Sequence, residues 1–293
     1  MKKVLCIHRN GESHWVGDGF PVRTIFHYEE LGSKLTPFLL LDHAGPLDFE
    51  PTEHQRGVGW HPHRGFETVT VVYDGAVDHE DSAGNHGSIG PGDVQWMTAG
   101  SGVLHKELHG RDYARRGGRL EMLQLWVNLP AKSKMAEPNY QTLLAGQIPT
   151  VELPQGGGSV RVISGEFGAA RGPASTFTPV NLLDLRLRAG HRLQLDLRDG
   201  YSAALYILRG KLLANGEESA SQNELVVFQR KEKEIFVEAT TDATVLVLNG
   251  QPIDEPIAGY GPFVMNTREQ IQQALADMRT GRLGKVPAFD SAS

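Results

Sequence analysis

The apolar residues of this chain fall into short, β-branched runs punctuated by glycine, proline, asparagine and aspartate, which is the signature of many short strands. Runs at 4–7 and 22–27 predict strands, with turn chemistry at Asn10-Gly11 and Gly17-Asp18-Gly19 between them. The apolar stretch from Pro37 to Asp42 reads as a buried strand, and residues 43–59, rich in proline, glycine and charge, as a loop. Glu67–Tyr73 is dense in valine and threonine and predicts a strand, turned by Asp74-Gly75 into a return strand at Ala76–Glu80. After a turn cluster at 81–87 and the turn at Gly90-Pro91-Gly92-Asp93, further strands are expected at Val94–Thr98 and Gln124–Asn128.

The pattern changes at 130–158. Pro130, Lys132, Lys134, Glu137 and Pro138 make a polar connection. Gln155-Gly156-Gly157-Gly158 is a flexible turn that lacks the Lys-Ser/Thr of a phosphate loop. The expected division is therefore an N-terminal domain over 1–133, a linker over 134–141 and a C-terminal domain over 142–293. Strand runs resume at 181–187, 191–197, 225–229, 235–238 and 244–248. Leu205–Leu212 repeats the strand-glycine-strand pattern of Val69–Val77, so the second half predicts another β barrel or sandwich. The end is helical: Thr267-Arg268-Glu269-Gln270 has capping-box spacing, Ile271, Ala274, Leu275 and Met278 follow helical periodicity, and Gly281 is a stop. That helix is expected to lay its apolar face on a barrel.

With 293 residues, 40% of them hydrophobic and 22% charged, the chain can build a sizeable core. A net charge of −6 provides no basic excess for direct nucleic-acid binding. The single cysteine, Cys6, rules out an internal disulfide and reads as a small buried hydrophobe of a reducing compartment. Lys2 and Lys3 precede only four apolar residues, too few for a signal peptide, and no stretch approaches a membrane span. The expectation is a cytoplasmic monomer.

The chemistry lies between Trp60 and Glu107. Side chains two apart share a face of a strand, so His61 and His63 point one way, and His105 and Glu107 form a second such pair. Pro62 keeps the first pair extended. Facing one interior, the pairs offer three imidazoles and a carboxylate, a set suited to iron, manganese, nickel, copper or zinc. Glu67 has the parity of His61 and His63, and spacing does not choose between Glu67 and Glu107. His79 and His86 read as solvated strand-end or turn residues without a same-face partner. If Gly210 corresponds to Gly75, Asp196 and Arg198 occupy the second half's counterpart of the histidine pair, and no histidine follows His191. The second half therefore cannot rebuild a three-histidine site.

The stretches HPHRGFETVT (61–70), HEDSAGN (79–85), PGDVQWMTAGSGVLHKE (91–107), LQLWVNLP (123–130) and YGPFVMNTREQI (260–271) resemble the pirin family of the cupin superfamily. The resemblance implies an all-β bicupin: two cupin (double-stranded β-helix, jelly-roll) barrels with a C-terminal α-helix, the second barrel without metal. It implies His61, His63, His105 and Glu107 as ligands, with Glu67 lining the cavity. Fe(II) is the implied metal, with Mn, Ni, Cu, Co or Zn as alternatives. Such a set leaves one or two positions open on a six-coordinate iron. The implied activity is that of a quercetin 2,3-dioxygenase. The 3-hydroxyl and 4-carbonyl of a flavonol approach the metal, Glu107 takes the hydroxyl proton as catalytic base, and O2 opens the heterocycle with loss of carbon monoxide. The alternative is an iron-dependent redox-sensing regulatory protein acting on a transcription or metabolic partner protein. A structural zinc protein ranks below both, since such sites usually carry cysteines.

Overall fold

The β-branched run Phe66–Asp74 is paired along both edges, antiparallel to Gly118–Asn128 on one side and Val94–Thr98 on the other. Its first eight residues are buried, as a strand interior to a sheet requires. In this computed structural model, which describes residues 1–9 and 11–286, that strand lies within a seven-stranded sheet. The spatial order is Asn139–Leu143, Val94–Thr98, Phe66–Asp74, Gly118–Asn128, Phe38–Phe49, Phe20–His27, Glu12–Val16. A four-stranded sheet completes the barrel in the order Gly57–His63, Val103–His109, Val77–Asp81, His86–Ile89. Asn10, half of the expected Asn10-Gly11 turn, lies outside the described residues.

The second half repeats this plan. Its seven-stranded sheet runs Val4–His8, Leu225–Phe228, Ser202–Arg209, Ala243–Gly250, Val180–Leu187, Gly158–Ser164, Thr150–Glu152. Its four-stranded sheet runs Arg192–Asp196, Glu234–Ala239, Lys211–Ala214, Glu218–Ser221. Leu183, Leu205, Val226, Phe228, Ile235 and Val245 belong to one buried apolar cluster. Each such side chain stabilises the fold by about 1.5–3 kcal/mol relative to exposure. The chain is thus mostly β, a bicupin with a C-terminal helix. Among the described residues, no helix is long and apolar enough to cross a membrane.

The expected division into 1–133, 134–141 and 142–293 differs from the compact units, which are interleaved in sequence. One unit comprises residues 1–12, 25–39 and 146–253; the other comprises 13–24, 40–145 and 254–293. Strand pairing is the reason at the N-terminus: Val4–His8 adds to the C-terminal barrel beside Leu225–Phe228. The expected linker is also structured. Lys134 is buried, and its Nζ donates to the carbonyls of Gly65 and Val264 and to Asn128 Oδ1. Burial holds its pKa down at about 7. Asn139–Leu143 then pairs with Val94–Thr98. The expected loop at 43–59 is largely strand, since Phe38–Phe49 continues through it and Gly57–His63 begins within it.

The helix Arg268–Arg279 begins as expected, with Thr267 accepting from the Gln270 amide and the Gln270 side chain returning the bond. It belongs to the unit that carries the N-terminal barrel. Ile271 and Ala274 pack with Phe263, Met265 and Leu283, with Leu275 and Leu104 alongside, while Met278 is exposed. The helix also supplies Asp277, whose carboxylate meets buried Arg64 at 2.9 Å, one residue beyond His63. Arg64 Nε donates to the Ser101 carbonyl, which ties the helix to both ends of the histidine region. Gly65 makes the sharp exit from the histidine strand at φ +89°, and a Cβ there would run into the Val264 carbonyl.

Removing one partner of a buried ion pair leaves the other uncompensated. Asp277→Ala is expected to lower the unfolding free energy by about 3 kcal/mol, measured by urea denaturation. An Arg64→Met, Asp277→Leu double variant should recover much of that loss.

Candidate metal centre

Register places the expected residues together. In the antiparallel pairing of Val103–His109 with Gly57–His63, His105 lies directly opposite His61 and Val103 opposite His63. The imidazole centroids of His61 and His105 are 4.1 Å apart, those of His63 and His105 4.8 Å, and those of His61 and His63 4.9 Å. One ring nitrogen from each of the three lies within 4.8 Å of the others. His63 is flanked edge-on by Phe66 and Trp126, at 5.1 and 5.4 Å.

The hydrogen bonds show which nitrogens are available. His61 Nδ1 donates to the Gly59 carbonyl at 2.8 Å, so its Nε2 carries the lone pair. The Pro262 carbonyl stands beside the His63 ring. Among the described residues, His63 Nδ1 and His105 Nε2 are buried without a hydrogen-bond partner. Burial pushes His63 and His105 well below the usual histidine pKa, and the neighbouring imidazoles push the same way, so both rings are neutral. Neutral imidazoles with unsatisfied buried nitrogens, clustered at this spacing, fit a metal ion.

Glu107 is buried and lies on the same face as His105. Three side chains donate to its carboxylate: Gln95 at 3.0 Å and Thr70 at 3.3 Å to Oε1, and Gln124 at 2.9 Å to Oε2. Glu107 and His61 line a narrow cavity of about 40 Å³ walled by Val16, Phe20, Val58 and Met122. Glu67 sits elsewhere. It is buried, accepts from Thr98 Oγ1 at 2.8 Å, and belongs to neither donor group of the region. Burial raises its carboxyl to about 7, with the Thr98 hydrogen bond and the nearby Trp96 indole opposing.

His79 departs from expectation. It is not a solvated residue but 3% exposed, stacked on Tyr140 at 4.5 Å, and grouped with His105 and Glu107 in a second set of donor atoms within 4.8 Å of one another. The strand Val77–Asp81 pairs with Val103–His109 so that His79 lies opposite Glu107 and Asp81 opposite His105. The signal was present in the sequence, because His79 does have a same-face partner, Asp81.

A model of the pirin family matches residues 19–127, and one of the pirin C-terminal cupin domain matches residues 182–284. The chain belongs to the pirin family. A Pseudomonas aeruginosa protein provisionally named a quercetin 2,3-dioxygenase is 55% identical over 96% of this chain and 98% of its own. The crystal structure of a quercetin 2,3-dioxygenase from Acinetobacter baumannii is 48% identical over 97% of this chain and 99% of that one, with a TM-score of 0.95. The Escherichia coli pirin YhhW, solved in complex with nickel(II), covers 84% of this chain and 99% of its own at 20% identity, with a TM-score of 0.64. That last likeness is one of fold.

The raised carboxyl of Glu67 gives this pirin a defined pH dependence. Its folded value, about 7, lies above the ordinary 4.5, so the native state binds the proton more tightly than the unfolded chain. Glu67's contribution to stability is complete below the ordinary value and is lost as pH rises through about 7. Glu67→Gln should remove a decline of roughly 3 kcal/mol, read by urea denaturation of metal-free protein between about pH 4.5 and about pH 8.

Proposed function

We propose that this pirin is a metal-dependent dioxygenase of the quercetin 2,3-dioxygenase type, with His61, His63, His105 and Glu107 holding Fe(II). One observation carries the reading: His61, His63 and His105 each bring a ring nitrogen within 4.8 Å of the others, with buried His63 and His105 neutral, beside a cavity lined by Glu107 and several apolar side chains. The names of the Pseudomonas and Acinetobacter relatives support the same reaction. The three-nitrogen, one-oxygen set also accepts Mn, Co, Ni, Cu or Zn, and metal supply then decides occupancy.

A bound metal would supply Lewis acidity and the one-electron chemistry that lets a closed-shell flavonol react with dioxygen. The protein's part is positioning and proton transfer. Glu107 lies at the cavity wall, where it accepts the proton of the flavonol 3-hydroxyl, so that the substrate reacts as its more electron-rich anion. Gln95, Thr70 and Gln124 hold that carboxylate so that it need not reorganise as the proton arrives. Val16, Phe20, Val58 and Met122 enclose the aromatic rings and exclude water. The cavity is smaller than the several hundred Å³ typical of drug-sized ligands, so entry requires the wall side chains to rotate outward. Val58, half-buried at the wall, is the natural place for this.

Iron-loaded protein in air is expected to bleach the flavonol absorbance of quercetin and release carbon monoxide. His105→Ala should fall to the metal-free background, and Glu107→Gln should lose about 100-fold or more in kcat. Bleaching no faster than the metal-free blank would refute the enzymatic reading. Val58→Phe is expected to raise KM several-fold, about 1 kcal/mol of binding, without changing metal content.

A further inference from the structure

We propose that His79, backed by Asp81, is a positioning residue that fixes the tautomer of His105, holding the proton on Nδ1 and leaving the Nε2 lone pair for the metal. The inference rests on the proposed metal site for its consequence, but its geometry stands without one. His105 Nδ1 lies 3.5 Å from His79 Nδ1, and His79 Nε2 lies 3.4 Å from Asp81 Oδ2. Gln95 Nε2 lies 3.4 Å from His79 Nδ1 and 3.0 Å from Glu107 Oε1, while Gln95 Oε1 accepts from the Tyr140 hydroxyl at 3.1 Å.

Each end of this network is a carboxylate, and the two carboxylates fix every direction between them. Two hydrogen bonds from Asn85 hold Asp81 in place, one to each oxygen, and a third comes from the Ala83 amide. Both Asp81 oxygens thus already accept from N–H donors, and an accepting carboxylate oxygen facing His79 Nε2 puts the proton on that nitrogen and leaves His79 Nδ1 as an acceptor. The Gln95 amide is oriented by the Tyr140 hydroxyl at Oε1 and by the Glu107 carboxylate at Nε2, so it too donates toward His79 Nδ1. His105 must then donate from Nδ1. The reverse assignment fails at three places: a lone pair of His79 would face Asp81, an N–H of His79 would face the Gln95 amide donor, and His105 Nε2–H would be buried without an acceptor. The contacts at 3.4 and 3.5 Å are long because two donors share one lone pair, so direction is set by exclusion of the alternatives more than by bond strength.

The arrangement completes a pattern within the site. His61 is anchored through its N–H by the Gly59 carbonyl, and the Pro262 carbonyl stands beside the His63 ring. Among the described residues, the contact of His105 Nδ1 is with a second histidine instead of a carbonyl. Tyr140, stacked on His79 with planes 15° apart, keeps that ring in the required plane.

The test is nitrogen NMR of metal-free protein labelled at histidine with 15N, in which protonated and unprotonated ring nitrogens resonate far apart. His105 is expected as the Nδ1–H tautomer, against the Nε2–H form that free histidine prefers. His79→Phe keeps the stacking ring but removes the acceptor, and should return His105 toward Nε2–H. His79→Gln, whose amide oxygen can accept, should keep Nδ1–H. With Zn(II) as a diamagnetic probe competed against a chelator, His79→Phe is expected to bind 10–100-fold more weakly and His79→Gln to recover part of the loss. A wild-type His105 protonated at Nε2 overturns the proposal even if no variant folds, as does an unchanged tautomer in folded His79→Phe. Wild-type protein that shows the expected tautomer yet binds no Zn(II) would support the relay and count against the metal site.

Discussion

A neutral imidazole has one nitrogen that must donate and one that must accept, and burying it without answering both costs about 1–3 kcal/mol for each unanswered group. The N-terminal barrel gathers four imidazole rings close together: His63, His79 and His105 almost completely buried, and His61 partly. The surrounding architecture follows from that constraint. The backbone carbonyl of Gly59 accepts from His61, the Pro262 carbonyl stands beside the His63 ring, and the Asp81–His79 pair serves His105. One ring nitrogen each of His61, His63 and His105 lies within 4.8 Å of the others, a spacing that suits a metal ion.

The rest of the unit holds this arrangement in place. The segment that bears His63 continues into Arg64, held by Asp277 of the C-terminal helix and by the Ser101 carbonyl, and into Gly65, whose carbonyl is clamped by Lys134. Helix, turn and buried lysine thus brace the histidine strand at its C-terminal end. Glu107 is held by three donors from the facing sheet, Thr70, Gln95 and Gln124. Rigid strands place these groups better than loops would, because neighbouring strands fix the register of every side chain.

The two barrels show what separates a site from a scaffold on one plan. Both pair a seven-stranded with a four-stranded sheet. In the C-terminal barrel the buried cluster is apolar, and its strand at Arg192–Asp196 carries no histidine pair. In the N-terminal barrel the corresponding four-stranded sheet carries three same-face pairs on adjacent strands: His61 with His63, His105 with Glu107, and His79 with Asp81. Polar residues concentrated on the inner face of one small sheet lose apolar packing there and gain a place for chemistry.

Strand parity made much of this legible in the residue order. Period two put His61 with His63 and His105 with Glu107, the turn residues marked most strand ends, and the capping box at Thr267 marked the final helix. These are local properties, set by backbone geometry within a few residues, and they survive in any fold that contains the strands. What only the tertiary structure decided is non-local. The antiparallel register opposed His105 to His61, Asp81 to His105 and His79 to Glu107, which drew His79 inward. Long-range pairing likewise assigned Val4–His8 to the C-terminal barrel and sequestered Lys134, although its neighbours in sequence read as a solvated linker. Spacing along a chain states which side chains share a face, but which faces meet depends on the registers that the whole core selects.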